Sequence, residues 1–128
     1  MYESIWYAVV AVNDVAQAKV DYERIFGASA KGEPEVIERL GIKRVVMNIG
    51  DGGDFIELAE PYGEHSALRR TLESRGEGLH TVTIAVDDIA QHTADLKARG
   101  VRVIEAGTQV FLHPGDTHGV LWQFRQRD

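Results

Sequence analysis

Cysteine is absent from this chain of 128 residues. That one absence excludes a disulfide framework, a thiolate zinc site, an iron–sulfur cluster and a cysteine nucleophile. Positive charge is scarce as well. Lys and Arg number 14 against 20 Asp and Glu, a net charge of −6, and no basic block occurs. Such a chain is a poor partner for nucleic-acid phosphates. Long apolar runs are missing too: Ile5 to Val12 gives eight consecutive apolar residues, far short of the roughly 20 that cross a bilayer. The first residues lack the basic-then-apolar order of a secretory signal, since Glu3 stands where positive charge would be expected. Present instead are 44% hydrophobic and 27% charged residues, the balance of an ordinary globular domain. The expectation is a soluble cytoplasmic protein of one domain, or of two small modules sharing one core, acting on small molecules or on other proteins.

The chain repeats itself. YAVVAVNDVAQAKVD, Tyr7 to Asp21, lies over TVTIAVDDIAQHTAD, Thr81 to Asp95, at a constant offset of 74. Ala11, Val12, Asp14, Ala16, Gln17 and Asp21 are identical to Ala85, Val86, Asp88, Ala90, Gln91 and Asp95. Two copies of one unit follow, at about 3–60 and 79–127. Each opens with a β-branched run that suits a strand. Asp14 and Asp88 are then placed as helix N-caps. The first helix carries Val15, Ala18, Tyr22, Ile25 and Phe26 on one face and stops at Gly27; the second carries Ile89, Thr93 and Leu96 and stops at Gly100. Unit one continues through Val36–Leu40, Lys43–Ile49, a Gly-Asp-Gly-Gly-Asp turn at 50–54, and Phe55–Ala59. Unit two continues through Val101–Glu105, Thr108–His113, the turn Pro114-Gly115-Asp116, and Val120–Arg125. Both read β-α-β-β-β, an α+β class. Ser66 to Arg75, with Ala67, Leu68, Thr71 and Leu72 at helical spacing, predicts a linker helix at about 66–75. One helix per sheet leaves the other sheet face to be covered, which suits a shared cleft.

Four stretches carry a family resemblance: AVVAVNDV at 8–15, MNIGDGGDFIELAEP at 47–61, EGLHTVTIAVDDI at 77–89 and VFLHPGDTHGVLWQF at 110–124. With the paired βαβββ units, they resemble the vicinal oxygen chelate superfamily, which includes glyoxalase I, bleomycin-resistance proteins and extradiol dioxygenases. Within it, the chain is most similar to the methylmalonyl-CoA epimerases. The resemblance implies two modules enclosing a cleft with four metal-ligand positions. In this sequence those positions fall at Tyr7, Glu57, Thr81 and Gln123, and the repeat makes Tyr7 and Thr81 partners. The family's two His have become Tyr and Thr, and its last Glu has become Gln. Thr, Gln and a protonated phenol are poor ligands for a divalent ion. No cofactor is therefore expected, although the family implies a divalent metal.

The resemblance also implies roles. Glu57 becomes the catalytic base and Tyr7 an oxyanion donor, with Thr81, Gln123 and His113 binding substrate. Glu38 and His113 are the alternative bases. Each has a plainer reading: Tyr7 as a core tyrosine, Thr81 as an ordinary strand threonine, His113 as a turn-stabilising histidine. His80 alternates away from Thr81's face. His65, His92 and His118 read as surface or loop residues, Arg69-Arg70 as a solvated helix face, and the glycine-rich run as a hairpin turn, not a phosphate loop. The expected function is an isomerase or lyase acting beside a carbonyl, a thioester among the candidates, without a metal. A non-catalytic small-molecule binding protein, like the bleomycin-resistance members, is the alternative. A metal-dependent epimerase or lyase with unusual ligands is the third. A homodimer is the default partner state.

Overall fold

Both predicted N-caps form, and both form the same way. In the computed structural model, which describes residues 1–127, Asp14 accepts a hydrogen bond from the Gln17 amide at 3.1 Å and Asp88 from the Gln91 amide at 3.0 Å. They start helices α1 (Val15–Phe26) and α3 (Ile89–Ala98). One turn further on, Gln17 Nε2 donates to Asp21 and Gln91 Nε2 to Asp95, at 3.0 and 2.8 Å. The identities in the repeat thus have a local cause: the same capping and i,i+4 bonds are made twice.

The remaining elements are β1 (Tyr2–Ala11), β2 (Glu35–Ile37), β3 (Ile42–Ile49), β4 (Asp54–Pro61), α2 (Ala67–Arg75), β5 (Gly78–Val86), β6 (Val103–Ala106), β7 (Gln109–Leu112) and β8 (Trp122–Gln126). The β-α-β-β-β order and the linker helix are as expected. One expected strand, Val36–Leu40, is shorter: β2 ends at Ile37 and Glu38–Leu40 forms a single 3-10 turn closed by Gly41 at φ 65°. Among the described residues no helix is long and apolar enough to cross a membrane.

By their contacts the residues fall into two compact units, one of Ala8–His80, the other of Met1–Tyr7 with the chain from Thr81 onward. Strand β1 is divided between them. In the contiguous unit the strand order is β2-β3-β4-β1. The β3–β4 hairpin has a four-residue loop, with Gly50 and Gly53 at positive φ, and sets Val46 opposite Glu57 and Arg44 opposite Ala59. Val12, Val15, Val45, Met47 and Leu58 form its core, with Ala18 and Tyr22 packed on it. The predicted apolar face of α1 is correct only that far. Ile25 and Phe26 are 62% and 52% exposed, because the helix contributes to the core through its first two turns only.

In the split unit the order is β1-β5-β8-β7-β6. Strands β5 and β8 run parallel, while β6–β7 and β7–β8 are antiparallel. Val86, Leu96, Val110 and Phe124 are the core. His92 is a correction to the sequence reading. It is buried, not superficial, and its ring packs on Phe124 and Tyr2 at centroid distances of 4.5 and 5.0 Å. It lies on the same face of α3 as Leu96, and an imidazole set edge-on and tilted against aromatic rings tolerates that face.

Candidate active site

Alternation along β3 and β4 sorts the contiguous unit's side chains. Val45, Met47 and Leu58 pack with α1, so Arg44, Val46 and Glu57 lie on the opposite face. Glu57 is 7% exposed, too buried for a lone carboxylate, and it is not alone. Arg44 Nη1 donates to Glu57 Oε2 at 2.8 Å, and Arg44 Nη2 reaches Glu35 Oε1 at a longer 3.4 Å. Burial alone would lower the Arg44 pKa. The hydrogen bond and charge of Glu57, followed by those of Glu35, outweigh that and hold it above the ordinary arginine value. The guanidinium is a fixed cation.

The split unit carries the other three implied positions. Thr83 and Gln123 face each other across the parallel β5–β8 pair, and Thr83 Oγ1 donates to Gln123 Oε1 at 3.1 Å. Thr81 shares Thr83's side of β5 by alternation. That side is away from α3, where Phe124 and Val86 pack. Tyr7 is buried, and its hydroxyl accepts from Arg125 Nη1 at 3.0 Å. The Arg125 guanidinium lies 5.2 Å from the Trp6 ring centroid and 6.0 Å from that of Tyr7, within cation–π range.

Three buried polar atoms here have no hydrogen-bond partner among the described residues: Thr81 Oγ1, Gln123 Nε2 and Arg44 Nε. A buried polar atom left unpaired costs about 1–3 kcal/mol. These atoms are therefore where a ligand's polar groups gain most.

The same contacts test the fit of a divalent metal. Glu57, the one charged donor of the four positions, is hydrogen-bonded to a cation that repels a second cation. The Tyr7 hydroxyl also faces a guanidinium. Gln123 has its carbonyl oxygen engaged by Thr83, and its unpaired atom is the amide nitrogen, a donor. No group of three or more His, Cys, Asp or Glu that could hold a metal occurs among the described residues. These side chains do not fit a divalent ion.

His113 is exposed, and its Nδ1 accepts from the Gly115 amide at 2.9 Å, capping the 3-10 turn Pro114–Asp116. Glu38 is exposed on the 3-10 turn after β2. His80 shares a 2.9 Å hydrogen bond with Thr71 of α2, and its pKa is pushed down to about 4, first by burial and then by the charge of Arg75. Arg69 donates to the Gly63 carbonyl at 2.8 Å. Sequence reasoning missed Arg44, Arg125 and Thr83. For Arg44 a signal existed, because the hairpin turn fixes the register that brings it beside Glu57.

Two β-α-β-β-β repeats in one chain define a fold of the glyoxalase type. Residues 8–117 match the glyoxalase/bleomycin resistance protein/dioxygenase superfamily, and the chain belongs to it. The similar proteins are more particular. Mitochondrial methylmalonyl-CoA epimerase of Bos taurus is 32% identical over 129 residues, covering 94% of this chain and 72% of its own. A variant of Streptomyces coelicolor methylmalonyl-CoA epimerase, solved in complex with 2-nitronate-propionyl-CoA, is 28% identical with a TM-score of 0.84, covering 98% of both chains. A methylmalonyl-CoA epimerase in complex with methylmalonyl-CoA and NH4+ is 29% identical with a TM-score of 0.84, covering 98% of this chain and 95% of its own.

Proposed function

We propose that this chain is an isomerase that removes and returns a proton on the carbon beside the carbonyl of an acyl-CoA thioester, and that it does so without a divalent metal ion. The similarity to methylmalonyl-CoA epimerases along nearly the whole chain supports the reaction class. The observation that carries the metal-free reading is the Glu57–Arg44 pair: the charged group at the implied metal position already has a cation.

In this reading Glu57 is the base. The α-carbon–hydrogen bond breaks and its proton goes to the carboxylate; its electron pair becomes the new carbon–carbon π bond, and the carbonyl π pair moves onto oxygen to leave an enolate. The Tyr7 hydroxyl, polarised by Arg125, donates to that oxygen, as neutral donors in a dry pocket can. Thr81 Oγ1 and Gln123 Nε2 bind substrate oxygens. A proton supplied from water to the opposite face of the enolate reforms the carbon–hydrogen bond with inverted configuration, and Glu57 releases its proton to solvent. His113 serves as a substrate-contacting residue at the strand end.

The test is solvent exchange. Methylmalonyl-CoA in deuterium oxide should lose its α-proton signal when the protein is added, at a rate that a chelator leaves unchanged. Binding without exchange would replace the enzyme reading by a sequestering role. Exchange that stops with chelator and returns with a divalent metal would overturn the metal-free mechanism.

A further inference from the structure

Arg44 presents more donors than its two carboxylate partners use. A guanidinium carries five N–H groups in a planar fork. Nη1 serves Glu57 on the buried side. The opposite edge, Nε with Nη2, is the one that pairs bidentately with a carboxylate. Here that edge is half used: Nη2 meets Glu35 at a long 3.4 Å, and Nε is buried with no acceptor among the described residues. The two partners also differ in exposure. The Glu57 side chain is 9% exposed and the Glu35 side chain 63%, with Arg44 between them at 29%. One carboxylate anchors the guanidinium, and the other is a surface group held loosely.

We propose that Arg44 is a specificity-determining residue that recognises a carboxylate on the ligand's acyl group through its Nε–Nη2 edge, with Glu35 as the internal carboxylate that the ligand displaces. Glu57 keeps Nη1 throughout and fixes the plane of the fork. An acyl group without a carboxylate cannot compete with Glu35 and leaves Nε unpaired. Lysine would substitute only in part, since an ammonium is a point charge with no fork. The acyl-CoA part of this inference rests on the function proposed above. Carboxylate recognition by Arg44 does not.

Two measurements test it on the full chain. In the first, free malonate is titrated while the Arg44 Nε–H signal is followed by NMR. The expected result is a saturable shift in the wild type, at several-fold lower malonate in Glu35→Gln, an exposed substitution that removes the competitor. In the second, malonyl-CoA and acetyl-CoA are compared by calorimetry. Malonyl-CoA should bind about 10- to 100-fold tighter, the scale of a charge-assisted hydrogen-bonded pair. Arg44→Gln should erase the difference, and Arg44→Lys should restore only part of it. Should Arg44→Gln fail to fold because Glu57 is left unpaired, Arg44→Gln with Glu57→Gln removes both charges and gives the same comparison. An Arg44 signal unmoved by malonate in both wild type and Glu35→Gln overturns the proposal, as does a malonyl preference that survives without Arg44. A malonate shift with neither thioester bound keeps carboxylate recognition and removes the acyl-CoA function. Equal binding of both thioesters with no malonate shift does the reverse.

Discussion

In the proposed reaction Glu57 is the residue on which the chemistry depends most, and its substitution separates the roles. Glu57→Gln keeps the shape of the side chain and its ability to accept from Arg44, but removes the base. Turnover in the exchange assay should fall by about 10²- to 10⁴-fold, the usual contribution of a general base, with the circular dichroism spectrum unchanged. Tyr7→Phe should cost less, about 10²- to 10³-fold, the range of one oxyanion donor. A Glu57→Gln variant with full turnover would move the base to His113 or Glu38, both exposed in this fold. A second residue, His80, ties stability to pH. Its folded pKa of about 4 lies below the 6.5 of an unperturbed histidine. Between those values the unfolded chain binds the proton and the folded chain does not, so stability is full above pH 6.5 and declines toward pH 4. The loss is no more than about 3 kcal/mol. His92, also shifted downward, chiefly by desolvation, acts with the same sign. Urea unfolding at pH 7 and pH 4.5 should show the decline, and His80→Gln should flatten the part due to His80.

Among the elements, the helix starts are the most local feature. Asp14→Ala and Asp88→Ala should each destabilise by about 0.5–2 kcal/mol, the cost of a lost N-cap, read as a shift in the urea midpoint at constant slope. Local features were also the legible ones. Asp14 and Asp88 cap their helices from signals within four residues, and the β3–β4 hairpin announces itself through the glycines at 50, 52 and 53. What the sequence did not disclose depends on contacts distant in the chain. Ile25 and Phe26 continue the apolar spacing of α1, yet the core against β3 and β4 ends at Tyr22. His92 reads as polar until Tyr2 and Phe124 close on it. The partner of Glu57, Arg44, comes from the neighbouring strand β3, 13 residues away, and that of Tyr7, Arg125, from β8, which lies beyond β5 and 118 residues away. The residues proposed for the site were thus named by the repeat and the family resemblance. The guanidiniums that set their charge were not.

At the scale of the whole molecule, the ten-residue strand β1 is divided, its first part counted with the chain from Thr81 onward and its last part with Ala8–His80. That division predicts an order of assembly. During synthesis the amino-terminal stretch leaves the ribosome first, but most of the residues it packs with have yet to be made. The contiguous unit meets no such delay, since its hairpin β3–β4 and helix α1 close over short sequence separations, and local contacts form fastest. Pulse-labelled hydrogen exchange during refolding of the intact chain should therefore protect the amides of β3 and β4 before those of β5 and β8. Once the stretch through His80 is clear of the ribosome the contiguous unit can gather, while Trp6 and Tyr7 in the first part of β1 still wait for the chain from Thr81 onward, aromatic side chains that a chaperone would cover in that interval.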